Sequence, residues 1–110
     1  MEHFNKMRED LKQKGADDIS LLVVNAGIAN GGNLADISCG QALAVAKVNM
    51  YHPTAILKAF LPLMIERKGR SGIIVNSSSS AYIPLVGSIP YSCTKTYVAD
   101  LVLAIDHELT

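Results

Sequence analysis

The chain has 110 residues, with ten basic and ten acidic side chains that cancel to a formal net charge of zero, and it is 49% hydrophobic and 18% charged. That length allows one domain, and the composition lies in the globular range, which excludes a disordered segment. The balanced charge, with no basic window interleaved with aromatics, excludes a nucleic-acid partner, and no apolar run approaches the roughly 20 residues of a membrane span.

The first ten residues are charged and carry no apolar stretch, so they do not form a secretory signal. Residues 2–14 place Phe4, Met7 and Leu11 at spacings of three and four, which predicts an amphipathic helix stopped by Gly15. Residues 19–24 form an apolar run, interrupted by Ser20 and rich in β-branched side chains, the pattern of a strand covered on both faces. Asn30-Gly-Gly-Asn33 is a loop. From an N-cap at Asp36 or Ser38 a helical pattern runs to about Lys68, with Leu43, Val48, Ile56, Phe60, Leu61 and Met64 apolar, and the glycines at 69 and 72 end it. Residues 73–75 form a second short apolar strand closed by the serines at 77–80. After a loop holding Pro84, Gly87 and Pro90, a last helix starts near Tyr91, with Val98, Leu101, Val102, Ile105 and Leu109 on one stripe.

Helix, strand, helix, strand, helix is the order of an α/β architecture with parallel strands joined by helical crossovers. Two strands make a very small sheet with both outer edges unpaired, so a free-standing unit of this kind is expected to be marginal and prone to association. Cys39 and Cys93 are far apart and read as buried thiols. The histidines at 3, 52 and 107 share no metal-ligand spacing and read as surface or boundary residues.

Carbonyl reduction by hydride transfer needs a proton donor, a group that orients the carbonyl oxygen, and a cation that steadies the ionised donor. Tyr91 and Lys95, one helical turn apart, share a face, so the ammonium can favour the phenolate. Such a pair alone arises readily by chance. Its context is more specific: Asn25-Ala26-Gly27 follows a strand, Asn49 sits in the long helix, and Ser78 ends the next strand thirteen residues before Tyr91.

This constellation resembles the short-chain dehydrogenase/reductase family. Gly72-Ile-Ile-Val-Asn-Ser-Ser-Ser-Ser80 resembles its fifth strand and catalytic serine, and Tyr91-Ser-Cys-Thr-Lys95 its Tyr-x-x-x-Lys helix. Residues 61–67 and 91–98 look most like the branch of 17β-hydroxysteroid dehydrogenases and very-long-chain 3-oxoacyl-CoA reductases. The resemblance implies a partial Rossmann-type, doubly wound fold, with residues 1–110 the central catalytic segment of one incomplete domain. It implies that Tyr91 is the general acid/base, that Ser78 hydrogen-bonds the substrate oxygen, and that Lys95 steadies Tyr91 and binds the nicotinamide ribose. Asn49 would hold a relay water through its backbone carbonyl, and Asn25, Ala26 and Gly27 would line the cofactor and brace the sheet. The thirteen-residue interval selects Ser78 over Ser77, Ser79 and Ser80, which read as loop serines bonding local backbone.

The implied cofactor is NADP or NAD, with NADP favoured by the branch. The implied substrate is a small carbonyl or alcohol compound, lipid-like in that branch. A homo-oligomer through the two long helices and a cytoplasmic or endoplasmic-reticulum-associated setting complete the expectation. Pro53 has no N–H to bond the Asn49 carbonyl, so it either opens the helix for that water or starts a second helix.

The family's glycine-rich turn, Thr-Gly-x-x-x-Gly-x-Gly, is absent, and with it the residue that chooses between NAD and NADP. Two expectations follow. The chain is a portion of an active reductase, or it is a truncated, non-catalytic protein that acts through subunit association. An in-frame glycine-rich turn in the upstream coding sequence separates them.

Overall fold

A computed structural model describes residues 2–110. Helix α1 (Glu2–Gln13) closes on Gly15, whose φ of 66° only glycine adopts cheaply. The Ala16 N–H bonds the Leu11 carbonyl at 2.8 Å and the Gly15 N–H bonds that of Lys12 at 3.0 Å, the paired bonds of a left-handed glycine cap. Strands β1 (Leu21–Val24) and β2 (Gly72–Val75) pair in parallel, Leu21 opposite Gly72 and Val24 opposite Val75.

Between the strands runs one long helical rod. Ser38, rather than Asp36, caps it: the Gln41 N–H donates to the Ser38 hydroxyl at 3.1 Å and the Ser38 N–H donates to the Gln41 side chain at 2.9 Å. Helix α2 (Cys39–Ala46) then widens into a π turn (Lys47–Tyr51), where the His52 N–H reaches back to the Lys47 carbonyl, and continues as α3 (His52–Glu66). Pro53 stands in the first turn of α3, directly after the π turn, so the rod changes register where proline removes a donor.

The rod ends at Glu66, short of the expected Lys68, because Arg67 turns extended and its guanidinium bonds Asp18 and the Arg70 carbonyl, each at 2.7 Å. A 3-10 turn (Ser79–Ala81) follows β2. Helix α4 (Ile89–Leu109) begins two residues ahead of Tyr91, with Pro90 in its first turn, where a missing N–H costs nothing.

Helix α1 lies on α3, and α4 packs on β2 and against α2 and the π turn. The core comprises Val24, Val45, Ala55, Leu57, Ala59, Phe60, Met64 and Val98. Two expectations are corrected. The run at 19–24 implied a strand covered on both faces, and only one face is covered: Val24 is buried while Leu21, Val23 and Ile74 are 54%, 53% and 53% exposed. In parallel register these three share one side of the sheet, which no helix among the described residues covers. Cys39 and Cys93, expected buried, are exposed, because Cys39 opens α2 and Cys93 points away from the inward face made by Ser92, Thr94, Lys95 and Val98. The histidines are exposed or half-buried, as expected. Among the described residues no helix is long and apolar enough to cross a membrane.

Candidate active site

Parallel strands bring their carboxyl ends to one edge, and the chemistry-bearing residues gather there. The Asn76 N–H continues the ladder to the Val24 carbonyl at 2.9 Å, and its side-chain amide donates to Asn25 Oδ1 at 3.0 Å, tying the two strand ends together. Asn25, Ala26 and Gly27 lead from β1 into a cleft of about 520 Å³ that they line with Val48, Asn76, Tyr91 and Lys95.

Lys95 is 5% exposed, an unusual burial for a lysine, and its Nζ donates to the Asn76 carbonyl at 3.2 Å. The ammonium lies 5.6 Å from the centroid of the Tyr91 ring. The ammonium therefore faces the Tyr91 ring on the cleft wall, one helical turn along α4. The Lys95 backbone is fixed too: Ser77 Oγ donates to the Lys95 carbonyl at 2.8 Å. Ser77 had read as a loop serine bonding local backbone, and this bond instead spans eighteen residues, from the segment after β2 to α4.

Asn49 is 2% exposed and acts through its side chain. Its Oδ1 accepts from the Ile28 N–H at 2.9 Å, and its Nδ2 donates to the Ile28 carbonyl at 2.8 Å and to Thr94 Oγ1 at 3.0 Å. This clamps the loop after β1 against α4. The π turn carries Asn49, a common use of that geometry near functional sites.

Ser78 caps the 3-10 turn that packs on α4, and it is absent from the residues lining the cleft. Its hydroxyl accepts from the Ser80 N–H at 3.2 Å and from the Ser80 hydroxyl at 3.0 Å. Accepting twice leaves its own O–H to donate elsewhere. Ser80, also expected to bond only local backbone, is buried with its hydroxyl on Ser78. Thus five candidates, Asn25, Ala26, Gly27, Tyr91 and Lys95, share one cleft, Asn49 braces it from beneath, and Ser78 stands on the adjoining turn.

The cleft suits a nicotinamide cofactor at two points. A Cβ on Gly27 would lie 3.1 Å from Lys95 Nζ and 3.5 Å from Asn49 Oδ1, so glycine keeps the loop backbone open beside the ammonium. The ammonium has three donors and, among the described residues, one acceptor, the Asn76 carbonyl, so it retains capacity for ribose hydroxyls.

A piece of parallel α/β structure with its polar residues at the carboxyl ends of the strands is the arrangement of a Rossmann-type fold. A sequence profile of the short chain dehydrogenases matches residues 2–110, and the chain belongs to the short-chain dehydrogenase/reductase family. It is 34% identical over 77 residues to dehydrogenase/reductase SDR family member 7B of Mus musculus, covering 70% of this chain and 24% of that protein. It is 40% identical over 75 residues to the mitochondrial D-beta-hydroxybutyrate dehydrogenase of Bos taurus, covering 67% of this chain and 21% of that one. It shares the fold of a Burkholderia phymatum short-chain dehydrogenase/reductase solved in complex with NAD, with a TM-score of 0.87 and 22% identity over 94% of this chain and 37% of that one. The chain spans about a quarter of the length of the two curated relatives, 24% and 21%.

Proposed function

We propose that this chain carries the catalytic segment of an NAD(P)-dependent reductase acting on a ketone, or oxidising the matching secondary alcohol. The observation that carries the reading is the buried Lys95 ammonium beside Tyr91 on a cleft at the strand ends. In the reducing direction Tyr91 gives its phenolic proton to the carbonyl oxygen, and Lys95 offsets the charge left on the phenolate. Ser78, with its O–H free to donate, orients the same oxygen. The Asn49 backbone carbonyl, within the π turn and four residues before Pro53, holds a water that returns a proton to Tyr91 from solvent. Asn25, Ala26 and Gly27 line the cofactor, and Lys95 takes its ribose hydroxyls. The bound nicotinamide supplies the hydride.

For substrate, two classes follow from the branch that residues 61–67 and 91–98 resemble: steroids and 3-oxoacyl thioesters. The bovine relative is named for a β-hydroxy acid, whose oxidation yields a 3-oxo acid, and this supports the 3-oxoacyl class. The same branch favours NADP over NAD, a cytoplasmic or endoplasmic-reticulum-associated setting, and a homo-oligomer joined through α3 and α4. A second reading, a non-catalytic segment that works by subunit association, is favoured by one observation, the bare apolar face of the sheet.

The test is Tyr91→Phe in the full-length protein, assayed with a 3-oxoacyl thioester and NADPH. Removing the general acid should lower turnover by roughly two to four orders of magnitude. A near-normal rate in the variant removes Tyr91 from the chemistry and the proposal with it.

A further inference from the structure

We infer that Thr94 is a positioning residue of this site, setting Tyr91 and the cofactor-lining loop in register through one shared hydroxyl. The inference rests on the reductase reading of the cleft. A threonine that bonds back to a carbonyl three residues earlier is ordinary in helices, and Thr94 does this, donating to the Tyr91 carbonyl at 2.7 Å. The further connections of its oxygen separate it from that ordinary case. The same Oγ1 accepts from Asn49 Nδ2 at 3.0 Å, across 45 residues of sequence, and the two residues are 3% and 2% exposed. Asn49 spends its remaining capacity on both backbone groups of Ile28. Ile28 follows Gly27, whose missing Cβ leaves room for the Lys95 ammonium.

The hydroxyl is thus the junction of a closed circuit running Tyr91, Thr94, Asn49, Ile28, Gly27, Lys95 and back along one helical turn to Tyr91. Thr96, on the same helix, provides the contrast: its hydroxyl bonds the Ser92 and Ala81 carbonyls but it is exposed and reaches no cleft residue. Without the Thr94 hydroxyl, Asn49 loses one of its two acceptors, and the link it makes between α4 and the Ile28 backbone is cut. Transfer geometry tolerates little of this, since misplacement by about 1 Å can cost roughly a hundredfold in rate.

The experiment compares Thr94→Val, which keeps the shape and removes the hydroxyl, with Thr94→Ser, which keeps the hydroxyl, in the full-length protein. Three quantities are read: kcat, KM for the carbonyl substrate, and amide exchange of residues 25–30. Thr94→Val should lower kcat by roughly tenfold to a hundredfold, leave KM near the wild-type value, and speed exchange at Ile28. Thr94→Ser should restore both kcat and protection. If Thr94→Val does not fold, Thr94→Ala lacks the same hydroxyl and suits a helix. A Thr94→Val enzyme with wild-type kcat overturns the inference, as does a serine variant as slow as the valine one. A wild-type protein that turns over no carbonyl substrate, yet loses Ile28 protection in Thr94→Val, overturns the reductase reading instead.

Discussion

Gly27 is the tightest point of the site. An added methyl would meet the Lys95 ammonium at 3.1 Å, so the buried lysine head must yield by a few tenths of an ångström. Gly27→Ala in the full-length protein is therefore expected to lower kcat/KM on the order of tenfold while melting close to wild type, because the displaced atom ends a side chain rather than belonging to the backbone. Assays of kcat/KM and of thermal unfolding side by side check this. The pairing of Tyr91 with Lys95 was readable because both are side-chain types whose chemistry the sequence displays, whereas the place of Ser78 on the adjoining turn, outside the cleft lining, was not. Nor were Asn76, Thr94 and Ser77. Asn76 holds Lys95 through a backbone carbonyl, which every residue possesses, and Thr94 and Ser77 find partners 45 and 18 residues away. Asn49 was singled out for its backbone, while its side chain makes three bonds that only the folded loop reveals.

Among the elements, the cap of α2 offers a direct test. Ser38→Ala removes the acceptor of the Gln41 N–H and, with it, half of a reciprocal pair. The loss should be about 1 kcal/mol in stability, read as a lower denaturant midpoint with an unchanged slope. Three helical stretches and two strands were legible because apolar spacing and end signals agreed, as with Gly15 for α1 and the choice of Asp36 or Ser38 for α2; that the middle stretch divides into α2 and α3 was not. Their limits slipped by a residue or two where a tertiary bond decided. Arg67 ends α3 by reaching Asp18, 49 residues away. The π turn has no periodic signature of its own. Pro53 hinted at a disturbance there, yet which register the rod takes depends on packing of Val45 before the turn, Asn49 within it, and Leu57 and Phe60 after it.

At the scale of the whole molecule, one layer of helices lies on one face of two strands. The Cα extents are 48 by 28 by 16 Å, and the radius of gyration is 15.8 Å, against about 13 Å for a compact domain of this size. That shape follows from the bare side of the sheet, where Leu21, Val23 and Ile74 stand in solvent. The same three side chains should drive self-association of the 110-residue chain. The double substitution Val23→Lys, Ile74→Lys is expected to reduce it, as read by sedimentation, without altering helix content; unchanged association would place the sticky surface elsewhere. One-sided cover could not be read from residues 19–24, since an apolar run records what a strand is suited to meet and not what meets it.

The parallel register also divides labour between the two rims of the sheet. The loop residues that line the cleft leave the strands after Val24 and Val75, whereas Gly72 opens β2 at the opposite rim, beside an apolar groove bordered by Leu61, Met64 and Leu109. The four residues of β2 set a gap of about 13 Å between them. Evolution, or an engineer attaching a reporter at exposed Lys68, can therefore rewrite the far margin while the reactive margin keeps its geometry.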